Sequence, residues 1–314
     1  MFFNPCEILM PQRVEILPTA LLNNSHCTVC VVADVNLLIH KRLRRDLHDV
    51  GVFIRVPLLL YVRQGRQDIR DHLGNSQTVQ AGHLVYFPKG VYAVSDFTVG
   101  DQAPFEALIA AFSPALLQRQ RLETRSVRAT ASFATHSTSM ADAHKCLVCP
   151  ATEPVAEFMT SVVAIYGQGR YADRSALALL KLEELLHLID ADPRLRPLSE
   201  ALASDGANER STDIASMMEA HWQYDLRIED YAALCGCSES TFTRRFKTLY
   251  QESPKQWLVR RRMQAAHQLL QDGRTSIQDA ALFAGYESVS HFISTYKKQF
   301  QSTPKKIQKQ NLSA

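Results

Sequence analysis

Nowhere in the 314 residues does an apolar run approach the roughly 20 residues that a membrane-spanning helix needs; the longest strongly apolar stretch is Val56 to Val62. Nor does Met1 to Leu22 show a basic flank followed by an apolar segment, since it carries Pro5, Glu7, Pro11 and Arg13. A membrane role is therefore not expected, and the cytoplasm is. The cysteines number seven, an odd count without a secretory pattern, which argues against a disulfide framework and for a reducing compartment. A metal enzyme needs two or three histidines and a carboxylate converging on one point, yet His83 has no H-x-H partner on its strand. A phosphate-cradling glycine loop and a nucleophile elbow are also missing. These absences leave no catalytic centre and no cofactor to expect.

What is present is organised unevenly. The first half reads as β-structure: Cys27 to Val35, Val52 to Val62 and Leu84 to Tyr86 are rich in Val, Ile, Leu and Tyr, with candidate turns at Gly65, Gly82 and Gly90. Phe105 to Phe112, stopped by Pro114, reads as a further strand. From Glu153 the periodicity becomes helical. Between Arg174 and Asp190, Leu179, Leu182, Leu186 and Ile189 share one face, and Leu177, Leu180, Leu185 and Leu188 widen it. Such a helix must be covered on more than one side, so one side is expected to pack inward and the other to meet a second copy in a homodimer. Pro193 to Arg210, punctuated by Pro197, Ser204, Asp205, Gly206 and Asn208, reads as an interdomain linker. The expected plan is thus a regulatory and dimerisation domain over 1–192, a linker over 193–210 and an α-domain over 211–314.

After the linker the sequence repeats itself at a spacing of about 50 residues. Ile228, Tyr231, Ala232 and Cys235 fall at i, i+3, i+4 and i+7 ahead of Gly236; Ile277, Ala280, Ala281 and Ala284 do the same ahead of Gly285. In each copy the glycine ends a short helix, and Ser238 or Ser288 can cap the next. The second helices carry Phe242, Phe246 and Leu249 in one copy and Phe292, Tyr296 and Phe300 in the other as inward residues. Ser253-Pro254 and Thr303-Pro304 then start a further helix after each copy. Each copy is a helix-turn-helix. The helix between them, Pro254 to Gln271, would measure about 27 Å, a length suited to holding two reading helices near successive major-groove turns.

Charge agrees with this. From Ser211 onward lie 14 of the 35 Lys and Arg but 10 of the 32 Asp and Glu. Arg244, Arg245, Lys247, Lys255, Arg260, Arg261 and Arg262 cluster in and after the first reading helix, and Lys297, Lys298, Lys305, Lys306 and Lys309 repeat the pattern. Cations here neutralise phosphates, while exposed Ser, Thr, Gln and Arg on a reading helix can address base edges.

These residues resemble the AraC/XylS transcription regulators. The resemblance rests on Ile277-Gln278-Asp279-Ala280-Ala281, Gly285-Tyr286-Glu287-Ser288, Ser290-His291-Phe292, Tyr296-Lys297-Lys298-Gln299-Phe300 and Ser302-Thr303-Pro304, and covers about Asp213 to Ile307. It implies an activator that binds double-stranded promoter DNA and acts on RNA polymerase. It places the base-reading positions of the first recognition helix on Ser240, Thr243 and Arg244, and those of the second on Val289, Ser290, His291 and Ser294; Lys247, Lys297 and Lys298 suit phosphates. Where relatives carry arginine and glycine this chain has Ser294 and Gln301, so the second unit is expected to grip the backbone more than it reads bases. The stretch from Val52 to Phe112 is similar to the family's sensory domain, which implies a cupin-like β-barrel over about 25–115, followed by helices over about 150–190, in an α+β protein. The segment Leu180 to Leu186 resembles the subset that activates type III secretion genes, in which a regulatory protein, rather than a small-molecule effector, often controls the N-terminal domain.

Two further readings come from the cysteines and the barrel. Cys27-x-x-Cys30 and His144-x-Cys146-x-x-Cys149 have metal-ligand spacing, but residues three apart on a strand point to opposite faces, so buried reduced thiols are the expectation. A barrel enzyme would have to turn over a small substrate. Neither a metal sensor nor an enzyme accounts for the duplicated helix-turn-helix.

Overall fold

The computed structural model describes residues 14–72, 74–100, 103–128, 146–207, 214–273 and 275–311. The chain divides into two compact units, Glu15–Arg210 and, beyond it, Ser211–Ala314.

In the first unit the strands are β1 (Glu15–Leu17), β2 (Cys27–Ala33), β3 (Asn36–Leu43), β4 (Leu47–Ile54), β5 (Leu58–Gln64), β6 (Arg66–Asp71), β7 (Ser76–Gln80), β8 (His83–Phe87), β9 (Gly90–Phe97), β10 (Phe105–Ala111) and β11 (Leu147–Pro150). A one-turn helix α1 (Thr19–Leu22) follows β1, and the remaining helices are α2 (Pro114–Arg128), α3 (Glu153–Tyr166), α4 (Ser175–Ala191) and α5 (Arg196–Ala207). The strands form two open sheets, ordered β1-β4-β9-β6-β7 and β11-β8-β5-β10-β3-β2. The α+β class stands, but the expected barrel is two sheets that do not close. The stretch Val52 to Val62 is one reason: proline has no N–H to give a ladder, and at Pro57 the chain leaves the five-stranded sheet as β4 and enters the six-stranded one as β5.

The six-stranded sheet is covered on both faces. Toward the other sheet it turns Leu37, Ile39, Leu58, Leu60, Val62, Phe105 and Ile109, which meet Val52, Ile54, Ile69, Val79 and Val94. Toward the helices it turns Leu38, Leu59, Tyr61, Leu84, Leu108 and Phe112. Double coverage explains why β5 as far as Val62, and β10 apart from Glu106, read as apolar runs without polar alternation. One ion pair bridges the two sheets inside the apolar layer: Lys41 Nζ on β3 lies 2.6 Å from Asp96 on β9, and Gln67 donates to the same carboxylate at 2.7 Å. Strands with such a charge among their inward residues do not announce themselves by composition, and β3, β6 and β9 are absent from the sequence reading.

The helix layer overturns two expectations. Leu182, Leu186 and Ile189 on α4 are buried in the unit's own core, at 4 % exposure or less, with Ala178 and Leu185 beside them; Leu179 is half-buried. They are core positions and present no dimer face, because the sheet below and the flanking helices cover the stripe. The expected linker over 193–210 is structured as far as Ala207. A 3-10 turn at Pro193–Leu195 leads into α5, and Leu195, Leu198 and Leu202 complete the same core. Pro193 and Pro197 sit in first turns, where a missing N–H costs nothing, so they start helices. The Tyr86 hydroxyl on β8 donates to Asp205, fixing the far end of α5 to the sheet.

Two consequences are measurable. Leu182→Ala should lower stability by about 2–5 kcal/mol while leaving the sedimentation coefficient of the folded fraction unchanged, whereas a shared dimer face would show dissociation first. Lys41→Met strands a buried carboxylate and should cost about 3–5 kcal/mol in denaturant unfolding, with much of the loss restored when Asp96→Leu is added.

Candidate nucleic-acid interface

The second unit is helical: α6 (Ile214–His221), α7 (Ile228–Leu234), α8 (Glu239–Tyr250), α9 (Pro254–Gln271), α10 (Ile277–Phe283), α11 (Val289–Phe300) and α12 (Pro304–Asn311). The two helix-turn-helix copies are built alike down to single bonds. Gly236 and Gly285 take φ of +65° and +82°, a conformation cheap only for glycine. The turn then closes back on the first helix, Cys237 N–H to the Ala232 carbonyl at 3.1 Å and Tyr286 N–H to Ala281 at 2.9 Å. Ser238 and Ser288 cap the following helix, each hydroxyl accepting the backbone N–H three residues on, from Thr241 and from His291. At the far ends Gln251 and Gln301 adopt left-handed φ of 55° and 52°. Their side-chain amides donate to the carbonyls of Thr248 (3.0 Å) and Lys298 (3.1 Å). The residue read as a missing glycine, Gln301, thus occupies the glycine-like position and caps the last turn itself.

One side of each reading helix is locked inward. Phe242, Phe246 and Tyr250 fall at i, i+4 and i+8, with Phe246 stacked on Tyr250 at 4.6 Å and edge-on to Trp257 of α9 at 6.1 Å. Phe292, Tyr296 and Phe300 repeat this, and His267 of α9 stacks on Phe300 at 4.3 Å while hydrogen-bonding the Tyr296 hydroxyl. Leu249, expected inward, is 60 % exposed. The true counterpart of Phe300, 50 residues earlier, is Tyr250, and the helical period puts its neighbour Leu249 outside.

The opposite side carries the predicted residues. Ser240, Arg244 and Lys247 are exposed and Thr243 is half-buried next to them; with Glu239 they line a shallow surface hollow. On α11, Ser290, His291, Ser294, Lys297 and Lys298 are exposed and Val289 is half-buried. The Ser294 hydroxyl is engaged by the His291 carbonyl at 2.8 Å, and the His291 ring meets Tyr286 edge-on at 5.1 Å. Among the described residues, the charged ends of Arg244, Lys247, Lys297 and Lys298 have no ion-pair partner. Both faces therefore present cations and short hydroxyls to an outside ligand.

Arg245, Lys255, Lys305 and Lys306 are exposed as read, but the run Arg260-Arg261-Arg262 divides differently from the sequence reading. Arg260 is held by Glu252 at 2.5 Å and Arg261 by Glu219 at 3.2 Å; Arg262 donates to the carbonyls of Trp222 and Tyr224. Three consecutive helical residues point about 100° apart and cannot all face one surface, a signal available in the run Arg260-Arg261-Arg262. The helix that supplies Glu219, α6, is missing from the sequence reading, in which 211–227 is left unassigned.

Cys27 and Cys30 lie on β2 at one edge of the six-stranded sheet, and Cys149 on β11 at the other, with Cys146 just before that strand. Five strand spacings of about 4.8 Å separate them, too far for one tetrahedral site. Burial pushes the Cys27 and Cys30 thiols up to about 11 and Cys146 up to about 12, so they stay protonated and unreactive. His144 lies outside the described residues.

Residues 231–310 match a family described as a helix-turn-helix domain, and residues 57–199 one described as the ExsA N-terminal regulatory domain. The chain is 35% identical over 128 residues to the HTH-type transcriptional regulator ExsA of Pseudomonas aeruginosa, covering 41% of this chain and 46% of that one. It is equally 35% identical over 130 residues to the thermoregulatory protein LcrF of Yersinia pestis, covering 41% and 48%. These alignments span about half the length of the curated relatives. A solved AraC-type DNA-binding regulator from Chromobacterium violaceum is 33% identical, covers 34% of this chain and 95% of that chain, and has a TM-score of 0.30.

The contact of α9 with α11 carries a pH dependence. Burial lowers the pKa of His267 from its ordinary 6.5, so the folded state disfavours the charged ring. The unfolded chain then binds the extra proton, and stability from this site is complete above about pH 6.5 and lost as pH falls through the lowered value. His267→Phe should make the melting temperature of the second unit less steep in pH between about 5 and 7; an unchanged slope would remove His267 from the account.

Proposed function

Because the chain belongs to the AraC/XylS family of transcription regulators, we propose that it is a sequence-specific activator that sets α8 and α11 into adjacent major-groove turns of double-stranded promoter DNA. The observation that carries this reading is the shared outer face of the two copies. Ser240, Arg244 and Lys247 on α8, and Ser290, Ser294 and Lys297 on α11, are exposed opposite a fully aromatic inner face.

The two units divide the work. Arg244 carries five donors in a rigid fork and can make paired hydrogen bonds to a guanine edge, with Ser240 and Thr243 alongside. The α11 face offers Ser290 and His291 toward bases, but Ser294 is short and already bonded to its own helix, so Lys297 and Lys298 make the second unit chiefly a phosphate grip. The first unit of the chain receives the control signal, from a regulatory protein or a small-molecule effector, as its match to a regulatory domain supports. Two chains bind as a homodimer on neighbouring sites. Since the α4 leucine stripe is internal, the apolar residues available for pairing are outward ones such as Ile165 on α3 and Leu180 on α4, 57 % and 60 % exposed. RNA polymerase is the partner contacted from the promoter, in the cytoplasm; among the described residues no helix is long and apolar enough to cross a membrane. Relatives named as virulence regulon transcriptional activators support a target set of virulence genes, and the resemblance carried by Leu180 to Leu186 points to those of type III secretion.

Binding to a duplex selected from a randomised pool, and to its scrambled version, across several salt concentrations separates reading from gripping. Arg244→Ala should cost about 1–3 kcal/mol on the selected duplex and relax preference at one base pair, with little effect on scrambled DNA. Lys297→Ala should weaken binding to both and lower the salt slope by about one. Equal loss on both duplexes for Arg244→Ala, with no base preference shifted, would make that arginine a phosphate contact.

A further inference from the structure

Arg262 stands apart from the other cations of the α-domain because its guanidinium faces inward from the middle of α9 to a junction of three segments. Its Nε donates to the Trp222 carbonyl at 3.0 Å and a terminal nitrogen to the Tyr224 carbonyl at 2.8 Å, both at the turn that follows α6. A cation suits this place, where the last carbonyls of a helix gather. Tyr231 of α7, fully buried, lies against the same group: burial pushes its hydroxyl up, and Arg262 opposes the shift. On the opposite side is the second helix-turn-helix. A Cβ added to Gly285, in the turn between α10 and α11, would stand 3.3 Å from an Arg262 terminal nitrogen. Trp222 extends the bridge, meeting Phe283 of α10 edge-on at 6.1 Å and carrying the Arg261 guanidinium over its ring at 4.8 Å. One side chain thus bonds the turn before the first copy, lies against the first helix of that copy and reaches beside the turn of the second.

We infer that Arg262 is a positioning residue that fixes the offset between the two recognition helices and so sets the number of base pairs the protein accepts between the two segments it reads. The inference rests on the DNA-binding reading above. α9 alone sets a separation but leaves rotation about its axis to side-chain packing. The Arg262 fork, bonded to two carbonyls of the turn whose Trp222 meets Phe283 of α10 and lying beside the Gly285 turn, supplies a second point of attachment that stops this rotation. Inserting or deleting one base pair moves the second segment by about 3.4 Å and about 34°, an offset a clamped pair cannot follow. Lysine keeps the charge but not the planar fork that reaches two carbonyls at once, so Arg262→Lys loosens the clamp without removing a cation.

The test uses the full chain and the duplex it selects from a randomised pool, with one base pair added or removed between its two protected segments. For the wild type, each change should weaken binding by about tenfold or more. For Arg262→Lys that penalty should shrink to about threefold or less, while affinity at the native spacing falls. Phe283→Leu, which loosens the other half of the bridge and leaves Arg262 in place, should shrink it in the same direction and decides the matter if Arg262→Lys unfolds. A purely structural arginine lowers affinity for every spacing alike, so an unchanged ratio in the folded variants overturns the inference. So does a wild type indifferent to spacing. If no duplex is selected at all, the DNA-binding reading fails, and this inference with it.

Discussion

Everything proposed for the α-domain depends on two turns being held in one conformation. At Gly236 and Gly285 the chain enters the left-handed region, reverses, and presents a serine whose oxygen captures the free N–H of the reading helix's third residue. Without the glycine the turn would force a Cβ into a conformation costing about 1–2 kcal/mol, and without the serine the helix start would lose about 1 kcal/mol of capping. Those two choices fix where α8 and α11 begin. The aromatic ladders Phe242-Phe246-Tyr250 and Phe292-Tyr296-Phe300 then fix which side faces in, and the exposed side is left to carry hydroxyls and cations. Function here is the remainder after packing has claimed its face.

The same logic sorts the charges. Arg260, Arg261 and Arg262 are adjacent in sequence yet serve three different neighbours, because consecutive helical residues diverge by about 100°. Their partners, Glu252, Glu219 and the carbonyls after α6, are internal to the domain. What remains exposed on the recognition helices is Arg244, Arg245 and Lys247 on α8 and Lys297 and Lys298 on α11. A modest surplus of positive charge over the whole chain therefore becomes two local patches on the reading helices.

The parts of this fold that sequence made legible are those written in residues with few alternatives. Glycine, capping serine and Ser-Pro or Thr-Pro starts mark both helix-turn-helix copies, and the connecting helix spans Pro254 to Gln271 as read. Strands covered on both faces, such as Phe105–Ala111, show as apolar runs broken only at Glu106. Two of the failures come from polar residues set inside apolar elements. Lys41 and Asp96 neutralise one another between sheets, so their strands read as surface. Ser204, Asp205 and Gly206 hide the stripe of Leu195, Leu198 and Leu202 and turn a core helix into an apparent linker. The leucine helix erred the other way, because an apolar face too broad for one neighbour was assigned to a second chain when the sheet and the other helices of its own chain already cover it. The site residues on α8 and α11 depended on register alone, and register survives in the i, i+4, i+8 aromatics.

The central claim is that one chain lays two helices along one face of a duplex. Methylation interference at guanine N7, on the duplex that the full chain selects, tests it most directly, since that atom lies in the major groove. The account predicts two clusters of interference centred about 10 base pairs apart on the same face, with the stronger one at the segment where the Arg244→Ala variant loses its preference. A single cluster, or interference confined to no fixed position, would contradict it.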